Sequence, residues 1–123
     1  MWNRADLEII DQEDGIRIAP FREDGRTPGT PTYIWAVRVG DALYVRPYSG
    51  ARSSWYRAAI KQGAGEIVLN GRVFGVRFEA ADPAVLDAVD AAYRAKYHAS
   101  QYLPPMIAGG PRNATVKVLP RTE

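Results

Sequence analysis

The fold is decided by residues 66–79, whose sequence is EIVLNGRVFGVRFE. Two β-rich runs flank Asn70-Gly71. An Asn-Gly pair between such runs is among the strongest hairpin signals, because both positions of the tight turn require positive φ. The stretch therefore predicts an antiparallel hairpin with strands at residues 66–69 and 72–79.

The rest of the chain supplies further strands and three helices. A second hairpin is predicted across Gly40-Asp41, because β-rich runs lie on both sides of this turn. Alternating apolar residues and capping signals predict the remaining elements. The predicted strands are 16–21, 32–39, 42–46, 66–69, 72–79 and 114–119, and the predicted helices run from Arg4 to about Asp11, from Trp55 to Gln62, and from Asp82-Pro83 to about His98.

This order of elements predicts an α+β fold in one domain spanning residues 1–123. An antiparallel sheet of about six strands removes its exposed edges when it closes into a small barrel. A ferredoxin-like sandwich is the alternative, but both hairpins are immediate and no βαβ crossover is required. The sequence therefore favours a barrel with three helices.

Composition excludes several classes of function. The chain has 123 residues, a net charge of +2, no cysteine and a single histidine, His98. Without cysteine there is no disulfide, thiolate metal site or cysteine nucleophile, and one histidine cannot build a histidine-rich metal site. We expect no metal, a capping role for His98, and a cytoplasmic protein, since no apolar run is long enough to span a membrane and no secretory signal is evident.

Residues 42–65 form the strongest candidate for a binding site. The stretch contains no carboxylate, yet it holds four cations and several aromatic residues around two short serine-containing segments. Guanidinium groups and flexible backbone suit a phosphate, and the predicted helix that follows would add free N–H groups. The alternative is a surface loop with solvated arginines and inward-packed aromatics. The cations are Arg46, Arg52, Arg57 and Lys61, and the aromatic residues are Tyr44, Tyr48, Trp55 and Tyr56.

Two local patterns carry a resemblance, Gly25-Arg26-Thr27-Pro28-Gly29 and Ser49-Gly50 followed by Trp55-Tyr56. They resemble patterns of the FMN-binding split barrels, in particular their deazaflavin-dependent nitroreductase and quinone-reductase branch. The first is Gly25-Arg26-Thr27-Pro28-Gly29, similar to the Gly-Arg-x-x-Gly loop before the second strand of that branch. The second is Ser49-Gly50 followed by Trp55-Tyr56, similar to its small-residue loop and helix start. The chain also resembles a related family of small uncharacterised bacterial proteins.

The resemblance implies a split barrel that dimerises and holds FMN or a deazaflavin in a groove between subunits. The dimer is expected to form through the barrel flank and the helix that carries Tyr93 and Tyr97. The flavin brings its own hydride chemistry, so no catalytic residue is identified. Carried over to this sequence, the phosphate contacts would be Arg46, Ser49, Gly50 and Arg52; the pocket would be shaped by Ser53, Trp55, Tyr56 and Arg57; Arg26 and Thr27 would close it.

Three functions stay open at the level of sequence. The first is a flavin- or deazaflavin-binding oxidoreductase, and the second is a module that binds a small phosphate-bearing ligand without turnover. The second is favoured by Thr30-Pro31-Thr32, which replaces a basic residue of the resembled branch. The third is a binder of single-stranded nucleic acid, which the nearly neutral charge disfavours.

Overall fold

A computed structural model describes residues 2–121 of the chain. It contains six strands, five α-helices and two short 3-10 helices. In chain order these are α1 (Arg4–Gln12), β1 (Gly15–Pro20), β2 (Thr32–Val39), β3 (Ala42–Val45), a 3-10 helix (Gly50–Arg52), α2 (Ser54–Gln62), β4 (Ala64–Leu69), β5 (Arg72–Ala80), a 3-10 helix (Pro83–Val85), α3 (Leu86–Tyr97), α4 (Leu103–Met106), α5 (Gly109–Asn113) and β6 (Val116–Pro120).

The six strands form a closed barrel in the order β1-β2-β3-β6-β5-β4. Every neighbouring pair is antiparallel, and β1 pairs with β4 to close the barrel. The α+β barrel predicted from the sequence is confirmed. Closure leaves no strand of this sheet with an unpaired edge, which removes the usual template for aggregation.

The hairpin of residues 66–79 is also confirmed. Leu69 pairs with Arg72 across the turn. Asn70 and Gly71 both have positive φ, at 49° and 80°, as a two-residue turn that follows the right-handed twist of its strands requires.

The barrel interior holds the larger hydrophobic core. Strand alternation directs Ile16 and Ile18 inward while Arg17 stays exposed. Helices α1 and α2 add Leu7 and Trp55 to the same cluster. At one end the Trp2 indole Nε1 donates a hydrogen bond to the Val118 carbonyl at 2.8 Å, which ties the chain start to β6.

A second core lies outside the barrel, between β2 and α3. Tyr93 and Tyr97 of α3 are buried there with Val37 of β2. The Tyr97 ring stacks on Trp35 with 3.9 Å between centroids. Packing within the chain therefore accounts for both tyrosines. Dimerisation through the barrel flank and the region of this helix stays a prediction.

The segment before β6 differs from the sequence prediction. No helix is predicted between residues 99 and 113, because Pro104-Pro105 and Gly109-Gly110-Pro111 disfavour one. In the structure, α4 and α5 occupy these positions. The first turn of a helix has no intrahelical partner for its N–H groups, so proline is tolerated there. Both helices are one turn long, and their prolines fall within that turn.

Candidate functional site

Arg46, the first residue of the predicted anion site, is buried at the end of β3 with 1% of its surface exposed. Its Nη1 donates to Asp90 Oδ1 at 2.6 Å and to the Met106 carbonyl at 2.8 Å. Nε donates to Thr115 Oγ1 at 2.8 Å, and Nη2 donates to the Leu86 carbonyl at 3.2 Å. Since a guanidinium carries five N–H donors, nearly all of the hydrogen-bond donors of Arg46 are used within the fold.

Asp90 joins Arg46 to a short chain of charges that reaches the surface. Its other oxygen, Oδ2, accepts a hydrogen bond from Arg112 Nε of α5 at 3.0 Å. Arg112 also pairs with exposed Asp87 at 2.6 Å. Burial opposes ionisation of Asp90, but the hydrogen bonds from Arg112 and Arg46 outweigh it and lower the pKa of the carboxyl. Asp90 is therefore ionised and balances the buried arginine.

This pairing makes stability sensitive to acid. The folded-state pKa of Asp90 lies below the value of about 3.9 in an unfolded chain. The ionised carboxylate therefore makes its full contribution to the free energy of unfolding above about pH 3.9, and this contribution is lost as pH falls through the folded-state pKa. We expect the difference in unfolding free energy between wild type and Asp90→Asn, measured in urea from about pH 6 to pH 2, to shrink below about pH 4. A constant difference would contradict an ionised Asp90.

The other residues predicted for the site are dispersed. Trp55 is buried in the barrel interior, and Tyr56 packs partly against the same cluster. Gly50 lies against Gly110 of α5. Ser53 occupies the N-cap of α2, but its side chain makes no capping hydrogen bond. The exposed members are Ser49, Arg52, Arg57, Arg26 and Thr27.

Arg46 and Arg52 therefore do not share an open cradle. Arg46 is enclosed by α3, α4 and the residues before β6, whereas Arg52 is exposed on the 3-10 helix that precedes α2. Arg46 is not available to hold an anion, because its positive charge is already matched by Asp90.

A cleft of about 280 Å³ lies beside Arg46 and is mostly aromatic. We call it the aromatic cleft; its lining residues are Tyr33, Ile34, Trp35, Arg46, Tyr48, Tyr102 and Met106. The Tyr48 and Tyr102 rings meet edge to face with 6.2 Å between centroids. One face of Trp35 is covered by Tyr97, which fixes the plane of the indole that borders the cleft.

The Tyr33 hydroxyl is the most perturbed polar group of the aromatic cleft. Burial and a hydrogen bond to the Asp14 carboxylate raise the pKa of Tyr33 to about 12. The hydroxyl therefore stays protonated at neutral pH and cannot act as a general base there. With Arg46 paired internally, the cleft offers aromatic surface and few polar contacts.

Sequence reasoning found only Tyr48 and Arg46 among the residues of this cleft. Tyr33 and Trp35 alternate on β2 with inward-facing Ile34, and this period-2 spacing of two aromatics was an available signal. Tyr102 follows α3 in a segment without a periodic pattern. No local feature of the sequence predicts that it meets Tyr48.

The family model for "Uncharacterized protein conserved in bacteria (DUF2255)" matches residues 6–118. The chain belongs to this family. The predicted relation to an uncharacterised bacterial family is thus confirmed, and the DUF2255 match reaches all six strands of the barrel. None of the curated proteins is similar enough to this DUF2255 member to count as a match. The likeness to the flavin-binding branch stays a prediction.

Two features are absent from the described residues of this DUF2255 member. Within residues 2–121, no three carboxylate or histidine side chains come together as a group that could hold a metal ion. Over the same residues, no helix has the length and apolar character needed to cross a membrane.

Proposed function

We propose that the protein binds a small molecule with a flat ring in the aromatic cleft. The observation that carries this proposal is the clustering of exposed aromatic surface. Five large hydrophobic residues are exposed in the described part of the chain, and Tyr33, Tyr48 and Tyr102 among them border this one cleft. Clustered apolar exposure of this kind marks ligand or partner sites, whereas scattered single residues do not.

The shape of the cleft supports a ring as the ligand. The indole of Trp35 is held in place by its stack with Tyr97, so binding would cost little ordering of this side chain. Tyr48 and Tyr102 are each about half exposed. They can contact the edge or face of a ring, the arrangements that aromatic pairs prefer.

The specific form of this proposal is a flavin- or deazaflavin-dependent oxidoreductase. The closed six-stranded antiparallel barrel and the helix that follows β3 support it, because both agree with a split barrel. A bound flavin would supply hydride transfer itself. The chain would contribute ring contacts from Trp35 and the tyrosines, and the Tyr33 hydroxyl, which donates its proton to Asp14, would offer a hydrogen-bond acceptor.

The fit to a complete flavin mononucleotide is only partial. A volume of about 280 Å³ is slightly below the common range of small-molecule pockets, about 300–1,000 Å³. It accommodates a ring, but its lining offers no unpaired cation for a ribityl phosphate, because Arg46 is already paired with Asp90. These observations favour the alternative, a module that binds a ring-bearing ligand without turnover. In a dimer, a second subunit could complete the groove.

Titration with FMN and with oxidised and reduced deazaflavin tests the oxidoreductase form of the proposal. Titration with the dye 8-anilinonaphthalene-1-sulfonate tests whether the aromatic cleft binds a ring at all. We expect Tyr102→Ala to weaken binding of whichever probe binds by about 1 kcal/mol, or about fivefold in Kd, because one aromatic contact is lost. Val73→Ala is the matched control, since Val73 is exposed and does not line the cleft.

The outcomes separate the two forms of the proposal. If no flavin binds at high micromolar concentration while the dye does, the oxidoreductase form fails and the binding module remains. If Tyr102→Ala and Val73→Ala have equal effects on every probe, the aromatic cleft is not the binding site.

A further inference from the structure

A second cleft, of about 340 Å³, runs along α2 on a different part of the molecule. We call it the basic cleft. On one wall, α2 contributes residues spaced at i, i+3, i+4, i+7 and i+8, which lie on one helix face. The loop after β1 forms the other wall. The lining residues are Phe21, Arg22, Glu23, Ser54, Arg57, Ala58, Lys61 and Gln62.

The charges on this cleft are mostly positive. Arg22 lies on the loop wall, and Arg57 and Lys61 lie on the helix wall. The one carboxylate, Glu23, pairs with Lys61 at 3.4 Å. Both side chains of this pair are well exposed, and exposed pairs contribute little free energy. An anion can therefore replace Glu23 beside Lys61 at small cost.

Hydrogen bonds within the loop fix the position of Arg22. The Asp24 carboxylate accepts from the N–H groups of Arg26 and Thr27 and from the Thr27 hydroxyl. The Arg22 N–H donates to the Thr27 carbonyl at 2.8 Å, and its Nε contacts the Pro28 carbonyl at 3.4 Å. The backbone of Arg22 is thus held in place before any ligand arrives, which lowers the ordering cost of binding.

We propose that the basic cleft binds the phosphate group of a small molecule between Arg22 and Arg57. Guanidinium groups on opposite walls can each present a fork of donors to phosphate oxygens, and Lys61 adds a third positive charge. Phe21 and Ala58 supply apolar surface for a short apolar body next to the phosphate. The first turn of α2 starts at Ser54 on the same face and has no side-chain cap. Its free N–H groups therefore also favour a negatively charged group.

This site is independent of the proposed function. The basic cleft and the aromatic cleft share no lining residue. Either proposal can therefore fail without the other. Of the four cations first predicted for an anion site, Arg57 and Lys61 lie in the basic cleft, whereas Arg46 and Arg52 do not.

Phenyl phosphate is the probe that tests the proposal, and benzenesulfonate is the matched ligand with the same ring and a single negative charge. In amide NMR titrations at constant ionic strength, we expect saturable shifts at Arg22, Ser54, Arg57 and Lys61 with phenyl phosphate. Arg57→Gln should weaken its binding about tenfold, because one charge-assisted pair is lost. Arg94→Gln, which changes an exposed arginine of α3, should leave the binding unchanged.

Three results would overturn the proposal. Shifts that rise linearly without saturation would indicate screening of surface charge. Equal weakening by Arg57→Gln and Arg94→Gln would indicate that the cleft has no special part in binding. Benzenesulfonate binding as tightly as phenyl phosphate would show that the cleft does not specifically recognise a phosphate. Because Arg57 is exposed, a circular dichroism spectrum of Arg57→Gln should match wild type.

Discussion

Asp90→Ala is expected to destabilise the protein by about 3–5 kcal/mol, the usual effect of removing one partner of a buried ion pair. The substitution leaves the Arg46 guanidinium, whose side chain has no exposed surface, without its carboxylate. Arg46 cannot avoid this cost by releasing its proton, because arginine stays charged in proteins. Urea unfolding at neutral pH measures the effect, which is a large part of the stability of an average domain.

Asp87→Ala is the matched control on the same helix. Asp87 also pairs with an arginine, Arg112 at 2.6 Å, but its side chain is 94% exposed. An exposed pair contributes about 1 kcal/mol or less. A loss for Asp87→Ala as large as that for Asp90→Ala would show that burial of the pair is not the cause.

A double variant distinguishes the cost of a buried unpaired charge from the cost of losing the other contacts of Arg46 and Asp90. Arg46→Met with Asp90→Leu removes both charges and keeps apolar volume. We expect it to be much more stable than Asp90→Ala, since replacing both members of a buried pair is often neutral or stabilising. If the double variant is as unstable as the single one, the hydrogen bonds of Arg46 to Met106 and Leu86 matter more than its charge.

The ion pair also links the fold to the aromatic cleft. Arg46 donates to the carbonyl of Met106, and Met106 lines that cleft. The same guanidinium holds α3 through Asp90 and the segment before β6 through Thr115. A residue first identified as a ligand contact is therefore better explained as the group that positions one wall of the cleft.

The elements that sequence predicted well depend on local chemistry. Asn70-Gly71 specifies its own turn, and the Asn3 side chain caps α1 by accepting from the Asp6 N–H. Such signals involve residues within a few positions of one another, so they can be recognised from the sequence without knowledge of the fold. The six-stranded barrel followed from these hairpins because closure is the simplest way to pair every strand.

The partner of Arg46 could not be assigned from sequence, because Asp90 lies 44 residues further along the chain. One signal was nevertheless present. Asp90 falls at helical spacing between Leu86 and Tyr93, on the face of α3 that is buried. A carboxylate on an apolar face requires a cation, and an arginine that follows a buried strand was available to supply it.

Gly65→Ala is expected to destabilise the protein by about 3 kcal/mol or more, because the added methyl group has no room. Gly65 lies on β4 and pairs with Pro20 of β1, at the pairing that closes the barrel. A Cβ there would lie 2.6 Å from both the Ala19 carbonyl oxygen and the Pro20 Cα. These are backbone atoms, so relief requires β1 and β4 to separate rather than a side chain to rotate.

Gly75→Ala on the neighbouring strand β5 is the matched control. A Cβ at Gly75 meets only the flexible Arg121 side chain, at 3.8 Å and beyond. Its backbone is not in the left-handed region, so alanine should be neutral or stabilising by about 0.4–1 kcal/mol through a less flexible unfolded chain. Urea unfolding compares the two variants, and amide exchange at Phe21, which donates to the Ala64 carbonyl at 3.1 Å, reports on the β1–β4 pairing. We expect faster exchange at Phe21 in Gly65→Ala alone, whereas equal stability of the two variants would contradict a tightly packed closure of the barrel.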